Sequence, residues 1–169
     1  MKKIMLGNEA IARGAYEAGV TVVSSYPGTP STEITEATNE KVTVETAFGA
    51  SMMGARAMSC MKHVGVNVAA DPLFTAAYTG VNGGLVIVCA DDPAMHSSQN
   101  EQDTRQIARA SHIPMLEPAD SQEAKDMMIL AYQISESYDT PVFVRITTRL
   151  AHQRSPVELG ERLQVVPKE

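Results

Sequence analysis

The sequence contains no tryptophan, and only 5% of its residues are aromatic. A chain poor in aromatics and rich in Ala, Val and Met is more typical of helices on a buried sheet than of a β-sandwich. The net charge is −6 and no run of Lys or Arg occurs, so we expect no nucleic-acid surface. No apolar stretch is long enough for a transmembrane helix or a secretory signal, so we expect no membrane association.

Common chemical signatures are also missing. The chain has no Gly-x-Gly-x-x-Gly, Walker loop, Cys-x-x-Cys or Gly-x-Ser-x-Gly, which excludes the usual nucleotide, redox and nucleophile motifs. Cys60 and Cys89 are isolated and each follows apolar residues, so buried reduced thiols are expected. Such thiols are typical of a cytoplasmic protein.

The 169 residues alternate between strand-like and helix-like patterns. Strands are predicted at Val20–Ser25, Met58–Met61, Leu85–Ala90, Met115–Pro118 and Pro141–Thr147, from apolar or β-branched runs. Helices are predicted at Gly7–Ala18, at Ile34–Ser59 with an interruption near Thr38, at Val66–Tyr78 with a kink or restart at Pro72, and from Ser121 to about Ser137. This alternation predicts an α/β fold, an open and mostly parallel sheet with helices on both faces. We assign residues 1–150 to one domain and residues 151–169 to a tail or linker.

A polar loop follows the strand at Leu85–Ala90 and runs to Arg105. Its acids, Asp91, Asp92, Glu101 and Asp103, would suit a hard cation, but their spacing fits no known loop, and solvated surface acids are the commoner outcome. His96 is either an acid–base group or polar surface. Arg105 either binds a carboxylate through two hydrogen bonds or pairs with Asp103.

The residue of greatest interest is Glu40, a carboxylate that precedes the small and apolar residues from Val42 to Ala57. Small side chains allow close approach of a neighbouring helix or a flat ligand. The alternative is an acid that only sits in the first turn of a helix, where the helix dipole favours it. His63, after a predicted strand, faces the ligand edge of the sheet or satisfies a buried carbonyl.

Five segments together resemble, in order, the N-terminal part of the alpha subunit of indolepyruvate-type 2-oxoacid:ferredoxin oxidoreductases. These enzymes depend on thiamine diphosphate. The resemblance covers nearly the whole chain, and the segments that carry it are Ser25–Glu33 (SYPGTPSTE), Asn39–Val42 (NEKV), Ala47–Ser51 (AFGAS), Met61–Pro72 (MKHVGVNVAADP) and Met95–Asp103 (MHSSQNEQD). The resemblance implies the pyrimidine-binding domain of such an enzyme, with the thiamine diphosphate-binding fold.

The resemblance also implies roles for particular residues. A glutamate at the position of Glu40 hydrogen-bonds N1′ of the aminopyrimidine ring and helps that ring to remove the proton from the thiazolium C2. Thr29 matches the Thr of a Tyr-Pro-x-Thr-Pro motif that touches cofactor or substrate, and Pro27 and Gly28 belong to the same loop. Arg105 looks similar to an arginine that meets the substrate carboxylate. His63 is carried as a residue at the edge of the substrate site.

The same resemblance implies parts that this sequence does not contain. Mg²⁺ and the diphosphate would be held by a separate diphosphate-binding domain or subunit, and iron–sulfur clusters by cysteines elsewhere. Ferredoxin and coenzyme A would react with the full enzyme, a homo- or hetero-oligomer that oxidatively decarboxylates a 2-oxo acid, indolepyruvate or another aryl pyruvate, to an acyl-CoA. This chain alone is expected to be inactive.

One departure from the family pattern lies between Ala37 and Asn39, where only Thr38 stands and the family has a further segment. Without that segment Glu40 would not reach its usual place. A non-catalytic domain or remnant that only pairs with itself or a partner is therefore the alternative interpretation. A thiamine-dependent decarboxylase is a third one.

Overall fold

A computed structural model describes residues 1–26 and 38–168 of the chain. The strands in these ranges are β1 (Lys2–Leu6), β2 (Val22–Ser25), β3 (Ala57–Lys62), β4 (Leu85–Asp91), β5 (Met115–Leu116), β6 (Val142–Thr147) and β7 (Arg154–Glu158). The helices are α1 (Gly7–Glu17), α2 (Glu40–Met52), α3 (His63–Val68), α4 (Ala70–Thr79), α5 (Arg105–Ser111), α6 (Ser121–Tyr138) and α7 (Thr148–His152).

Five strands form a parallel sheet in the order β2-β3-β4-β6-β5. The central strand β4 is buried at all seven positions, which its continuous apolar sequence predicts for a parallel sheet covered on both sides. A second, two-stranded antiparallel sheet pairs β1 with β7. The prediction of an α/β fold with a mostly parallel sheet is confirmed.

Helices cover both faces of the five-stranded sheet. On one face, Val86 and Val88 of β4 share a hydrophobic cluster with Ile11 of α1 and Met128 of α6. On the other face, Ile87 shares a cluster with residues of α2 and α4, among them Val44 and Leu73. Successive strand residues thus alternate between two cores, as the pleat of a strand requires.

The carboxyl ends of β2, β3, β4 and β6 meet at one edge of the sheet because the strands are parallel. Tyr26, His63, Asp92 and Thr148 follow these strands and so lie at that edge. In open α/β sheets this is the edge where ligands bind. The functional residues are therefore to be sought there.

Two helix predictions need correction. Instead of one helix over Val66–Tyr78, α3 and α4 meet at Ala69, and Pro72 lies in the first turn of α4, where its missing N–H leaves no hydrogen bond unmade. The predicted helix up to Ser59 ends at Met52, because the residues from Ala57 enter β3. Its start at Ile34 lies outside the described residues.

The C-terminal segment, expected to be a tail or linker, contains a helix and a strand. Thr148–His152 form a helix, and β7 pairs with β1, a strand that the sequence pattern did not predict. Beyond β7, the Leu163 N–H donates to the Glu17 carbonyl and the Lys168 N–H to the Gly54 carbonyl, at 2.8 and 3.1 Å. Residues 148–168 are thus packed on the rest of the chain. The domain boundary at residue 150 remains a prediction.

Candidate active site

Glu40 is the first residue of α2, and the local sequence fixes that start. Asn39 is the N-cap, and its Oδ1 accepts a hydrogen bond from the Val42 N–H at 3.0 Å. The Asn39 carbonyl accepts from the Thr43 hydroxyl at 2.9 Å. Glu40 thus lies at the positive end of the α2 dipole. This position fits both a catalytic acid and an acid that only stabilises the first turn of the helix, so the residues around Glu40 are needed to distinguish the two roles.

The strongest local constraint on Glu40 is its contact with Gly65 of α3. A Cβ atom added at residue 65 would lie 2.5 Å from Glu40 Cγ and 2.6 Å from its Oε1. Only glycine leaves room for the carboxylate in this position. Gly65 of α3, and not one of the small residues of α2, thus allows this close approach between the two helices.

Glu40 lines a cavity of about 530 Å³ at the carboxyl edge of the sheet. One wall is formed by α2 and the β3–α3 junction, and the opposite wall by the polar loop after β4. The lining residues are Tyr26, Glu40, Lys62, Val64, Met95, His96, Ser97, Ser98 and Gln99. Of the acids and bases that the sequence singled out, the cavity brings Glu40 and His96 together.

Asp92 holds the polar loop in shape. This buried carboxylate accepts hydrogen bonds of 2.7 Å from the Ser97 N–H and the Ser98 hydroxyl, and one of 2.8 Å from the Thr148 hydroxyl. The bond from Ser98, followed by those from Ser97 and Thr148, keeps the pKa of Asp92 well below its usual value. An irregular loop with Ala94 and Met95 in the left-handed region is thereby fixed as a wall of the cavity.

Asp91, at the end of β4, anchors the other end of the same loop. It is fully buried and bonded to Arg145 Nε at 2.7 Å, to the Thr104 N–H at 3.1 Å and to the Thr104 hydroxyl. Arg145 also pairs with Glu117. The expectation of solvated loop acids is wrong for Asp91 and Asp92, because both carboxylates are buried and accept hydrogen bonds from protein groups.

The acids of the loop do not converge on a common point. Glu101 accepts from the Ala94 N–H at 3.0 Å, and Asp103 pairs with Arg105. Within residues 1–26 and 38–168, no three His, Cys, Asp or Glu side chains are grouped as a metal ion would require.

His63 begins α3 and is completely buried. Its Nε2 lies 3.1 Å from the Asn100 carbonyl, so Nε2 carries the proton and Nδ1 is left as an acceptor. That Nδ1 atom is buried without a hydrogen-bond partner in the structure. Of the two alternatives for His63, the hydrogen bond to a backbone carbonyl is the one observed. A contact of His63 with substrate remains a prediction.

Arg105 does not line the cavity. Its Nε and Nη2 donate to Asp103 at 2.8 and 2.9 Å, on the exposed first turn of α5. This pairing raises the pKa of Arg105 and lowers that of Asp103. The alternative that we left open, a pair with Asp103, is therefore present, and a role in substrate binding remains a prediction.

Pro27, Gly28 and Thr29, and the junction after Ala37, lie outside the described residues. Their roles in cofactor or substrate binding stay predictions. Lys62 and Tyr26 also line the cavity, and neither was predicted as a lining residue. The available signal was their position, since each lies at the end of a predicted strand or directly after it, on the ligand edge of the sheet.

With the site in view, the chain can be compared with known proteins. A family described as pyruvate flavodoxin/ferredoxin oxidoreductase, thiamine diphosphate-binding, matches residues 36–168. The chain belongs to this family. The match includes Glu40, Lys62, Gly65 and the polar loop, so every element that lines the cavity except Tyr26 lies within the family domain.

Several archaeal relatives are similar along nearly the whole chain. The indolepyruvate oxidoreductase subunit IorA of Pyrococcus horikoshii is 53% identical over 180 residues, covering 98% of this chain and 28% of the relative. The same subunit of Archaeoglobus fulgidus is 52% identical, with 95% of this chain and 29% of the relative covered. The chain thus spans less than a third of the length of these curated relatives. Because 180 aligned residues exceed the chain's 169, the relative has residues that this chain lacks.

More distant comparisons support the fold. The 2-oxoglutarate synthase subunit KorA of Methanocaldococcus jannaschii is 28% identical, over 97% of this chain and 50% of that protein. The structure of 2-oxoglutarate:ferredoxin oxidoreductase from Magnetococcus marinus matches with a TM-score of 0.83 at 21% identity, over 95% of this chain and 33% of that one. Such a likeness establishes the same fold for the domain.

None of the helices within the described ranges is both long and apolar enough to cross a bilayer.

Proposed function

We propose that the chain supplies the pyrimidine-binding half of a thiamine diphosphate site in a 2-oxoacid:ferredoxin oxidoreductase. The observation that carries this proposal is the position of Glu40. Its carboxylate lies at the head of α2, pressed against Gly65 and facing a cavity at the ligand edge of the sheet. Family membership names the cofactor, and the cavity of about 530 Å³ has room for a heteroaromatic ring beside Glu40.

In this proposal Glu40 holds a proton between its carboxyl oxygen and N1′ of the pyrimidine. When bound, thiamine diphosphate supplies the electron sink that decarboxylation of a 2-oxo acid requires. Asn39 fixes the position of Glu40 by capping α2, and Gly65 of α3 leaves room for its side chain. The polar loop, fixed by Asp92, closes the opposite wall and limits the entry of water. Thr29, with Pro27 and Gly28, is retained as a cofactor or substrate contact on the strength of the family motif.

The substrate proposed is indolepyruvate or another aryl pyruvate, converted to an acyl-CoA. The names of the relatives at 52 and 53% identity support indolepyruvate. Tyr26, Val64 and Met95 contribute the apolar surface of the cavity that an aryl group would need. A diphosphate-binding domain or subunit would hold Mg²⁺, and iron–sulfur clusters, coenzyme A and ferredoxin would act in the complete cytoplasmic oligomer.

The first test is calorimetric titration of thiamine diphosphate with Mg²⁺ into this chain, alone and together with a diphosphate-binding domain. We expect no binding to the chain alone and binding to the pair. Replacing Glu40 by Gln should weaken that binding about tenfold or more, because a charge-assisted hydrogen bond becomes a neutral one. Glu45→Gln is the matched control, since Glu45 lies on the exposed face of the same helix and pairs with the exposed Lys41 at 3.9 Å. Equal affinity of the Glu40 variant and wild type would overturn the proposed role.

A second candidate is a non-catalytic domain that associates with itself or with a partner. It is favoured by one observation, the greater number of aligned residues in the Pyrococcus relative than in this chain. Failure of the assembled pair to bind the cofactor, with the complex itself intact by size-exclusion chromatography, would select this candidate.

A further inference from the structure

The cavity that contains Glu40 also contains a lysine that the family assignment does not explain. Lys62 is the last residue of β3, and its side chain lines the cavity together with that of Glu40. Its Nζ donates one hydrogen bond to the Ser97 carbonyl across the cavity. An ammonium group has three N–H donors, so two of them remain for a ligand.

Lys62 differs from Lys41 and Lys125 in having no carboxylate partner among the described residues. Lys41 pairs with Asp71 at 2.9 Å, and Lys125 pairs with Glu17 at 3.2 Å and with Asp126 at 2.9 Å. No carboxylate of the part of the chain that the structure describes lies within 4.0 Å of Lys62 Nζ. A half-buried cation without a counter-ion is suited to receive an anionic group from outside the chain.

Arg105, the other cation considered for an anionic ligand, is less suited to bind one in the cavity. The guanidinium of Arg105 is engaged by both oxygens of Asp103, and Arg105 is not a lining residue of the cavity. To reach a ligand in the cavity, it would first have to leave this pair. Lys62 needs no such rearrangement.

We propose that Lys62 binds the carboxylate of the 2-oxo acid substrate within the cavity of Glu40. The inference rests on the proposed function, because that function requires a substrate carboxylate next to the cofactor. The carboxylate leaves as carbon dioxide, which carries no charge, so the attraction to Lys62 is strongest before the reaction and fades during it. Lys62 should therefore contribute to substrate binding, and hence to KM, more than to kcat.

A purely structural role must be separated from this one, because Lys62 also joins the β3–α3 junction to the polar loop. Loss of that hydrogen bond would loosen the wall of the cavity for every ligand alike. Loss of a carboxylate contact would affect only ligands that carry the negative charge. A pair of inhibitors that differ in this charge alone can therefore distinguish the two roles.

The experiment uses the complete enzyme, loaded with its cofactor, and two inhibitors: indole-3-propionic acid and its primary amide. We expect Lys62→Met to raise KM for indolepyruvate and Ki for the acid about tenfold to a hundredfold, as loss of a charge-assisted hydrogen bond predicts. Ki for the amide should stay within about twofold, since a neutral ligand loses no ion pair. Lys62→Arg should restore most of the affinity for the acid. Lys41→Met is the matched control, because it removes the same charge one residue from Glu40 but outside the cavity.

Several results would overturn the inference. An equal loss of affinity for acid and amide in Lys62→Met would assign Lys62 to loop support alone. A selective loss for the acid in Arg105→Met, with Lys62→Met unaffected, would assign the carboxylate to Arg105. If Lys62→Met does not fold, Lys62→Gln and Lys62→Arg are compared in its place. A wild-type complex that neither binds thiamine diphosphate nor turns over any 2-oxo acid would instead overturn the proposed function itself.

Discussion

At the scale of single residues, Glu40 is held at the start of α2 by the Asn39 cap and by its close contact with Gly65. Its identity as the leading carboxylate follows from the sequence, and the Asn39 cap accounts for its place at the start of α2. The contact with Gly65 could not be predicted, because Glu40 and Gly65 are 25 positions apart in the sequence and lie in different helices. Only the packing of those helices brings the two residues into contact. Lys62 was missed for a similar reason. Its place after a predicted strand follows from the sequence, but the polar loop that faces it across the cavity does not.

The contact between Gly65 and Glu40 leads to a prediction about a single methyl group. Gly65→Ala should displace the Glu40 carboxylate, because the new Cβ would fall 2.5 Å from Glu40 Cγ. We expect affinity for thiamine diphosphate in the assembled site to fall about as far as in Glu40→Gln, roughly tenfold or more. Calorimetric titration measures it.

Gly49→Ala provides the control for that experiment. Gly49 also lies in a helix, but nothing stands within 4 Å of a Cβ added there. This variant should keep its cofactor affinity and gain about 0.5–1 kcal/mol of unfolding free energy, because alanine is the better helix former. Wild-type affinity in Gly65→Ala would show that Glu40 tolerates displacement and that its position is not decisive.

At the scale of elements, the apolar strands were the most predictable part. β4 follows from its continuous apolar run and β6 from the apolar and β-branched residues on either side of Arg145, since strands buried on both faces need no alternation. β1 was missed because Lys2 and Lys3 are exposed and only Met5 is buried, which leaves no apolar pattern to read. The acids of the polar loop after β4 were assigned to solvent because their donors, among them Ser98 of the loop itself and Arg145 of β6, are brought to them only by the fold.

That loop gives a prediction with a definite pH dependence. The pKa of Asp92 is lowered in the folded state, chiefly by the Ser98 hydrogen bond, so its ionised form stabilises the fold above the unfolded pKa, which is near 3.9. Asp92→Asn should lower the unfolding free energy at pH 7 by about 1–3 kcal/mol. The difference from wild type should shrink as the pH falls below about 4 towards the folded-state pKa, because the unfolded wild-type chain then takes up a proton at Asp92 while the folded chain does not.

Urea unfolding at pH 7 and at a series of lower pH values measures this effect. Asp71→Asn is a suitable control, because Asp71 is exposed and its pair with Lys41 is worth little in water. A destabilisation by Asp92→Asn that is the same at every pH would mean that shape, and not charge, holds the loop.

At the scale of the whole molecule, the C-terminal segment links parts of the fold that lie far apart in sequence. After β7 pairs with β1, the Gly160 N–H donates to the buried Glu17 carboxylate at 2.7 Å. Arg13 and Lys125 bond the same carboxylate. The polar composition of this segment suggested a linker, but composition does not reveal backbone hydrogen bonds to the other end of the chain.

Two valines in this segment test whether it belongs to the folded unit. The side chain of Val157 in β7 is 0% exposed and lies in the same hydrophobic cluster as Met128 of α6, whereas Val166 is 86% exposed. Val157→Ala should therefore lower the unfolding free energy by about 1–3 kcal/mol, since it removes buried methyl groups. Val166→Ala should change it by less than about 0.5 kcal/mol. If both variants unfold like wild type in urea, residues 151–169 are a linker in solution and the folded domain ends near residue 150. If only Val157→Ala is destabilised, the segment up to β7 is part of the domain that positions the Glu40 cavity.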